Sequence, residues 1–71
     1  MPELGIRNQE LRIIDLLLLA GIKSKSEARR LIEQGGIKIN NEVKRDSSEN
    51  LKTKDGDILQ IGKRKFFKLK V

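Results

Sequence analysis

The chain has 71 residues, which leaves room for one small domain. It contains neither Cys nor His, so disulfides, zinc-finger ligand sets and Cys or His nucleophiles are excluded. Sixteen Lys and Arg side chains against ten Asp and Glu give a net charge of +6. A small domain with this charge is expected to bind an anionic partner rather than to catalyse a reaction, although a solvated basic surface would have the same composition.

The apolar stretch at residues 13–22 is too short to cross a membrane. It has ten residues and contains Asp15, whereas a membrane span needs roughly 20 apolar residues. A signal peptide is also excluded, because Glu3 and Glu10 precede the stretch and Lys23-Ser24-Lys25 follows it where a cleavage site would need small residues. The sequence therefore predicts a cytoplasmic protein without a membrane partner.

Residues 1–10 and residues 11–71 differ in pattern. The first ten residues include Pro2 and Gly5 and show no periodicity, so they are expected to be an irregular linker or an engineered start of the chain. The domain itself is predicted over residues 11–71, which contain no internal repeat and no low-complexity segment.

A first helix is predicted over residues 12–20 and ends at Gly21. Leu18 and Leu19 fall on the side opposite its apolar face. Either the N-terminal segment covers these two leucines or they contact something outside this chain. The second interpretation is favoured, because two exposed leucines do not stabilise a lone domain. The residues of the apolar face are Ile13, Ile14, Leu16, Leu17 and Ala20.

A second helix is marked at both of its ends. Ser24 and Glu27, three residues apart, predict a capping box. In it the Ser24 hydroxyl accepts from the Glu27 backbone amide, and the Glu27 carboxylate accepts from the Ser24 backbone amide. Gly35 supplies the left-handed conformation that ends the helix. The positions that repeat at helical spacing and face inward are Ala28, Leu31, Ile32 and Gly35.

Alternation with a period of two begins after Gly36 and predicts a hairpin. Ile37 and Ile39 alternate with polar residues, and the pair Asn40-Asn41 suits the positive φ angles of a tight turn. Residues 42–44 are expected to return as the antiparallel strand. The next nine residues, 45–53, are polar and irregular apart from one leucine.

Two further strands are predicted at the end of the chain. Asp55-Gly56-Asp57 indicates a turn into a strand over residues 58–61, and Gly62-Lys63-Arg64 leads into a closing strand over residues 65–71. The two aspartates could suggest a carboxylate metal site, but the ligand series does not continue, so a turn is favoured. The predicted fold class is α+β, with two short N-terminal helices packed on a small, bent antiparallel sheet.

Basic residues gather where the second helix begins. Lys23 and Lys25 bracket its unpaired amides, an arrangement that suits a phosphate, and Arg29 and Arg30 extend the positive surface by one turn. As an alternative, Arg29 could pair only with Glu33. An exposed pair at this spacing contributes about 0.3–0.5 kcal/mol, too little to hold an arginine away from a phosphate.

The position of these basic residues favours RNA over DNA. Reading of the DNA major groove would need an exposed helix with side chains aimed at base edges, whereas this helix is short and its basic residues lie near its start. That pattern favours recognition of the backbone and shape of structured RNA. Of the two aromatic residues, Phe67 is expected in the core, and Phe66-Phe67 could also stack on a base.

Three stretches resemble the RNA-binding domain first named for ribosomal protein S-four, the αL fold. They are residues 20–22 (AGI), 24–32 (SKSEARRLI) and 35–40 (GGIKIN). Residues 55–59 (DGDIL) and 61–69 (IGKRKFFKL) are similar to the C-terminal domain of bacterial tyrosyl-tRNA synthetases. Asn41 stands where this family usually has glycine, and asparagine tolerates the same backbone angles.

The resemblance implies a tRNA-binding appendage of a tyrosine–tRNA ligase. Its partner would be the long variable arm and anticodon-stem region of tyrosine tRNA. The parent would be a homodimer that uses ATP and Mg, whereas the domain alone would be monomeric, without catalytic residues or a cofactor of its own. The implied RNA-binding residues are Lys23, Ser24, Lys25, Arg29, Arg30, Lys38 and Asn40, with the basic turn Lys63, Arg64 and Lys65 as an addition.

Two alternatives stay open at this point. The same domain type occurs in small ribosome-associated heat-shock proteins and in pseudouridine synthases, which would also bind structured RNA. A protein-interaction module that uses Leu18 and Leu19, with incidental basic charge, belongs to a different class.

Overall fold

A computed structural model describes residues 1–71 as two helices and seven short strands. Five strands form one sheet in the order β1-β7-β6-β3-β4, and the other two, β2 and β5, form a separate pair. Neither helix is long and apolar enough to cross a membrane. In chain order the elements are β1 (Glu3–Gly5), β2 (Glu10–Arg12), α1 (Ile13–Leu19), α2 (Lys25–Glu33), β3 (Ile37–Ile39), β4 (Glu42–Lys44), β5 (Asn50–Lys52), β6 (Ile58–Ile61) and β7 (Lys65–Lys70).

Both helices end in the same way, and both ends were predicted. After α2, Gly35 has a φ of 76°, and the amides of Gly35 and Gly36 donate to the carbonyls of Ile32 and Leu31. These two bonds define a Schellman motif, which satisfies carbonyls that the helix leaves unpaired. The motif recurs after α1, where Gly21 has a φ of 106°. Each helix therefore stops at the glycine that the sequence marks.

The core lies between the helices and one face of the large sheet. The side chains of α1 and α2 that point inward are buried, as are those of alternating residues on β3 and β6 and that of Leu69 on β7. The predicted α+β class is confirmed, since two helices and a sheet share one hydrophobic core. The buried apolar residues are Ile6, Ile13, Leu16, Leu17, Ala28, Ile32, Ile37, Ile39, Leu51, Leu59, Ile61 and Leu69.

The predicted turns are present, and their polar side chains fasten them. Asn40 and Asn41 have φ angles of 50° and 69° and connect β3 to β4. In the turn before β6, the carboxylate of Asp57 accepts from the Lys54 amide at 2.8 Å and from the Asn40 side chain at 3.0 Å. The interpretation of residues 55–57 as a turn is therefore confirmed.

The expectation that residues 1–10 are irregular is wrong, because part of this segment is ordered in the sheet. Residues 3–5 form β1, which pairs in parallel with β7, and Ile6 is buried in the core. The large sheet is consequently mixed and not purely antiparallel as predicted. The polar segment 45–53 is also partly ordered, because β5 pairs with β2 in antiparallel register.

The two leucines on the outer side of α1 differ in exposure. Leu18 is half-buried, whereas Leu19 is 51% exposed, although Leu11 and Arg7 lie beside them. The ordered N-terminal segment therefore does not cover Leu19. A contact between this leucine and something outside the chain stays a prediction.

Candidate RNA interface

An open cleft of about 460 Å³ lies where the start of α2 faces the start of α1 and the loop before β5. Three of its lining residues are cationic, three carry short polar side chains, and Asp15 is acidic, so seven of the eight lining residues are charged or polar. Its lining residues are Arg12, Ile14, Asp15, Lys25, Arg29, Ser47, Ser48 and Asn50.

Lys25 and Arg29 reach the cleft from the first two turns of α2. They are four residues apart and therefore lie on the same face of the helix. Ser24 sets where this helix begins, because its hydroxyl accepts from the Glu27 amide at 3.2 Å. Of the two bonds of the predicted capping box, this is the one in which the Ser24 hydroxyl satisfies a free amide at the helix start.

None of the three cleft cations has a carboxylate partner within 4.0 Å; both ion pairs in the chain belong to Lys44. The predicted alternative of an Arg29–Glu33 pair is therefore wrong. Asp15 also lines the cleft, again without an ion pair. The guanidinium groups of Arg12 and Arg29 and the Lys25 ammonium thus remain available to an anion from outside.

The third wall of the cleft is a hydrogen-bonded turn at residues 46–48. The Asp46 carboxylate accepts from the Ser48 hydroxyl at 2.6 Å and from the Ser48 amide at 2.9 Å. These bonds stabilise the ionised carboxylate and lower the pKa of Asp46 below its ordinary value. The two bonds fix the conformation of the turn itself.

Pairing between distant strands brings this turn to the helices. Arg12 and Asn50 are register partners in the β2–β5 pair, and the Ile13 amide donates to the Glu49 carbonyl at 3.1 Å. The sequence analysis missed Arg12, Asn50 and the serines of the turn. No local pattern identifies them, because they meet through two strands of three residues each.

The other basic residues predicted near the helix start lie outside the cleft. Lys23 precedes α2 and Arg30 lies on it, and both are exposed. Lys38 is half-buried and points away from the core, since its neighbours Ile37 and Ile39 point into it. Their roles as RNA contacts stay predictions.

Asn40 has a structural role that the sequence does not reveal. Its side-chain amide donates to Asp57, and its side-chain oxygen accepts from the Ile58 amide at 2.9 Å. The side chain therefore fastens the β3–β4 turn to β6. An RNA contact by Asn40 stays a prediction and would have to use its remaining hydrogen-bonding capacity.

The basic turn at Lys63–Lys65 lies at the opposite end of α2 from the cleft. The Gly62 amide donates to the Gly36 carbonyl at 2.7 Å, which places this turn beside the residue that follows α2. A helix of nine residues is about 13 Å long. The predicted RNA-binding residues therefore do not form one cluster, and any role of this turn is separate from the cleft.

Lys44, unlike the cations of the cleft, is paired with carboxylates of the same chain. Its ammonium lies 3.1 Å from Glu49 and 3.7 Å from Glu42, and its side chain is largely buried. The hydrogen bond to Glu49 raises the pKa of Lys44 above its ordinary value, against the opposing effect of burial.

No group of three or more Asp or Glu side chains is placed to hold a metal ion. Asp55 and Asp57, the candidates considered from the sequence, accept hydrogen bonds from backbone amides of Val71 and Lys54. Both carboxylates therefore fasten backbone segments of the fold.

Comparison with known proteins identifies relatives of the chain. Residues 11–57 match the family profile of the S4 domain. The chain is 49% identical over 70 residues to a tyrosine–tRNA ligase of Dehalococcoides mccartyi (strain CBDB1), a match that covers 96% of this chain and 17% of that protein. Tyrosine–tRNA ligases of Moorella thermoacetica and Thermotoga maritima are 44% and 41% identical, each with 97% of this chain and 17% of the relative covered.

The chain thus spans about 17% of the length of the curated relatives it matches. The profile match includes both helices, the first hairpin and β5, and every residue that lines the cleft lies within it. The basic turn at Lys63–Lys65 lies outside the match. This chain belongs to the S4 domain family.

Proposed function

We propose that the chain binds the phosphate backbone of structured RNA, and that its RNA is a tRNA. The observation that carries the proposal is the cleft at the start of α2, in which Arg12, Lys25 and Arg29 meet without carboxylate partners. Arginine forms paired hydrogen bonds with phosphate oxygens, and lysine adds a point charge. The Ser47 hydroxyl and the Asn50 side-chain amide in the same cleft supply further donors to phosphate or ribose, whereas the Ser48 hydroxyl already donates to Asp46.

The cleft favours backbone over base recognition. It contains no aromatic side chain on which a base could stack, and its single apolar residue is Ile14. Cations and short polar groups position a nucleic acid without reading its sequence. The domain is therefore proposed to recognise the shape of a folded RNA, such as the path of its backbone at a helical arm.

The relatives give this proposal its specific form. Three proteins that share 41–49% identity with the chain are named tyrosine–tRNA ligases. We therefore propose that the chain is the RNA-binding part of such a ligase, a cytoplasmic homodimer that uses ATP and Mg. Within tyrosine tRNA, the long variable arm and the adjoining anticodon stem are the proposed contacts of this domain.

A titration of the chain with tyrosine tRNA across a range of salt concentrations tests the proposal. If four to six phosphates are contacted, the logarithm of the association constant should fall against the logarithm of salt with a slope of roughly −3 to −5. A tyrosine tRNA without its variable arm should bind more weakly. Equal affinity for the two RNAs would contradict the variable-arm assignment, and a slope near zero would contradict backbone binding altogether.

A further inference from the structure

A second surface of the molecule combines aromatic and basic side chains, far from the polar cleft. On the large sheet, the residues that alternate with the core residues point to the other face, which neither helix covers. In the cross-strand register, Phe66 is opposite Gln60, Gln60 is opposite Lys38, and Lys38 is opposite Val43. These four residues form one row across β7, β6, β3 and β4, which we call the outer row.

The two phenylalanines of the chain have different environments. Phe67 is half-buried and packs against the core, as expected. Phe66 points to the outer face and is 37% exposed, and Val43 at the other end of the outer row is 41% exposed. Phe66 therefore contributes an aromatic ring to the outer surface of the sheet, on the strand next to the edge strand β1.

Two lysines lie near Phe66 on the same face of the sheet. Lys38 lies two strands away in the outer row, about 10 Å at the usual strand spacing. Lys68 is two residues along β7 on the same face, about 7 Å away. Glu3 is the register partner of Lys68, but neither Lys38 nor Lys68 has a carboxylate within 4.0 Å.

We propose that the outer face of the sheet is a second RNA contact, at which Phe66 stacks on an unpaired base while Lys38 and Lys68 bind the neighbouring phosphates. An exposed aromatic ring with unpaired cations nearby on the same face is an arrangement by which proteins bind single-stranded nucleotides. This inference rests on the proposed function, and it adds a class of contact, base stacking, that the cleft does not offer.

Affinity for tyrosine tRNA in Phe66 variants tests the stacking contact. Stacking on one base is worth a factor of about 5 to 150 in affinity, so Phe66→Ala should weaken binding roughly tenfold. Phe66→Leu keeps apolar surface but removes the ring, and should bind as weakly as Phe66→Ala. Val43→Ala, on the same face, is the matched control and should bind within about twofold of the unaltered chain.

A fluorescence measurement observes the stacked base directly. The chain has no Trp, so Phe66→Trp introduces a single reporter that keeps an aromatic ring at the site. Saturating tRNA should quench and shift its emission strongly, and Val43→Trp much less. Unchanged Phe66→Trp emission at saturation, or Phe66→Ala affinity within twofold of the unaltered chain, would overturn the inference.

The tRNA affinity of the cleft double variant Lys25→Ala, Arg29→Ala is measured beside that of Phe66→Ala, so that a failure of the sheet contact can be distinguished from a failure of the proposed function. If this double variant loses affinity and Phe66→Ala does not, the sheet contact is wrong and the cleft assignment stands. If the chain binds no tRNA at all, both are wrong. Circular dichroism of each variant shows that the fold is retained, as expected for exposed side chains.

Discussion

The cleft at the start of α2 and the cluster around Lys44 are both charged, but they use their cations in opposite ways. Lys44 lies within 4.0 Å of two carboxylates, whereas Lys25, Arg29 and Arg12 have none at that distance. A cation with an internal partner stabilises the fold, and a cation without one can bind an external anion. Net charge alone therefore does not identify a binding surface in this family member. The cleft is distinguished by three cations that are unpaired and also line the same cavity.

The largest expected effect comes from removing the unpaired cations. Lys25→Ala with Arg29→Ala should weaken tRNA binding about 100-fold, or roughly tenfold for each lost phosphate contact, with little change in the free energy of unfolding. A filter-binding titration at about 0.1 M salt measures the affinity, where interactions beyond about 10 Å are screened.

The control for this variant removes the same charge elsewhere. Lys52 and Lys54 are exposed and lie outside the cleft, so Lys52→Ala with Lys54→Ala gives the same net charge. We expect this control to lose only a small part of the affinity. An equal loss in both double variants would show that net charge, and not the cleft, determines binding.

A smaller effect is expected at the far end of α2, where the helix stops at a glycine in the left-handed conformation. Gly35 has a φ of 76°, and a methyl group there would lie 3.2 Å from the Arg45 guanidinium. Gly35→Ala should therefore lower the free energy of unfolding by about 1–2 kcal/mol, as measured by urea denaturation, and leave RNA affinity unchanged. Gly5→Ala, with no atom near the added methyl, is the matched control. Equal stability of the two variants would contradict this explanation of the α2 end.

The smallest effect is expected for Lys44. Lys44→Met should lower the free energy of unfolding by less than about 1 kcal/mol at neutral pH, because the carboxylates that pair with Lys44 are partly exposed and such ion pairs contribute little. It should leave RNA affinity unchanged. Its pKa is raised in the folded state, so the stabilisation is complete below the ordinary lysine value of about 10.4 and is lost as pH rises through the raised pKa. The difference in stability between the variant and the unaltered chain should therefore disappear at strongly alkaline pH. A loss of tRNA affinity in Lys44→Met would contradict the division between paired and unpaired cations.

Local signals in the sequence predicted most of the fold. The capping residue Ser24, the stop glycines after both helices and the pair Asn40-Asn41 each act through the backbone of their own neighbours, so their structures follow from a few adjacent residues. The strands β1 and β2 were missed because, unlike the equally short β3 and β4, they are not joined to their partner strands by a tight turn that marks a hairpin. They form only because distant segments, β7 and β5, offer hydrogen-bonding edges.

The candidate site was predicted in part for the same reason. Lys25 and Arg29 were identified because they share a helix face, which is a local property. Arg12 and Asn50 were not, because 38 positions separate them and only the β2–β5 register brings them together. The turn at residues 46–48 forms the remaining wall of the cleft. Ser48 lines the cleft, and its amide and hydroxyl donate to the Asp46 carboxylate.

The most direct test of the cleft is a map of amide chemical shifts in the isotope-labelled chain as tyrosine tRNA is added. The account predicts that the largest changes fall at the start of α1, the first two turns of α2 and residues 47–50. The amides of β4, which carries Lys44 and Glu42, should shift little. Large changes elsewhere, with none in the residues that line the cleft, would contradict the account.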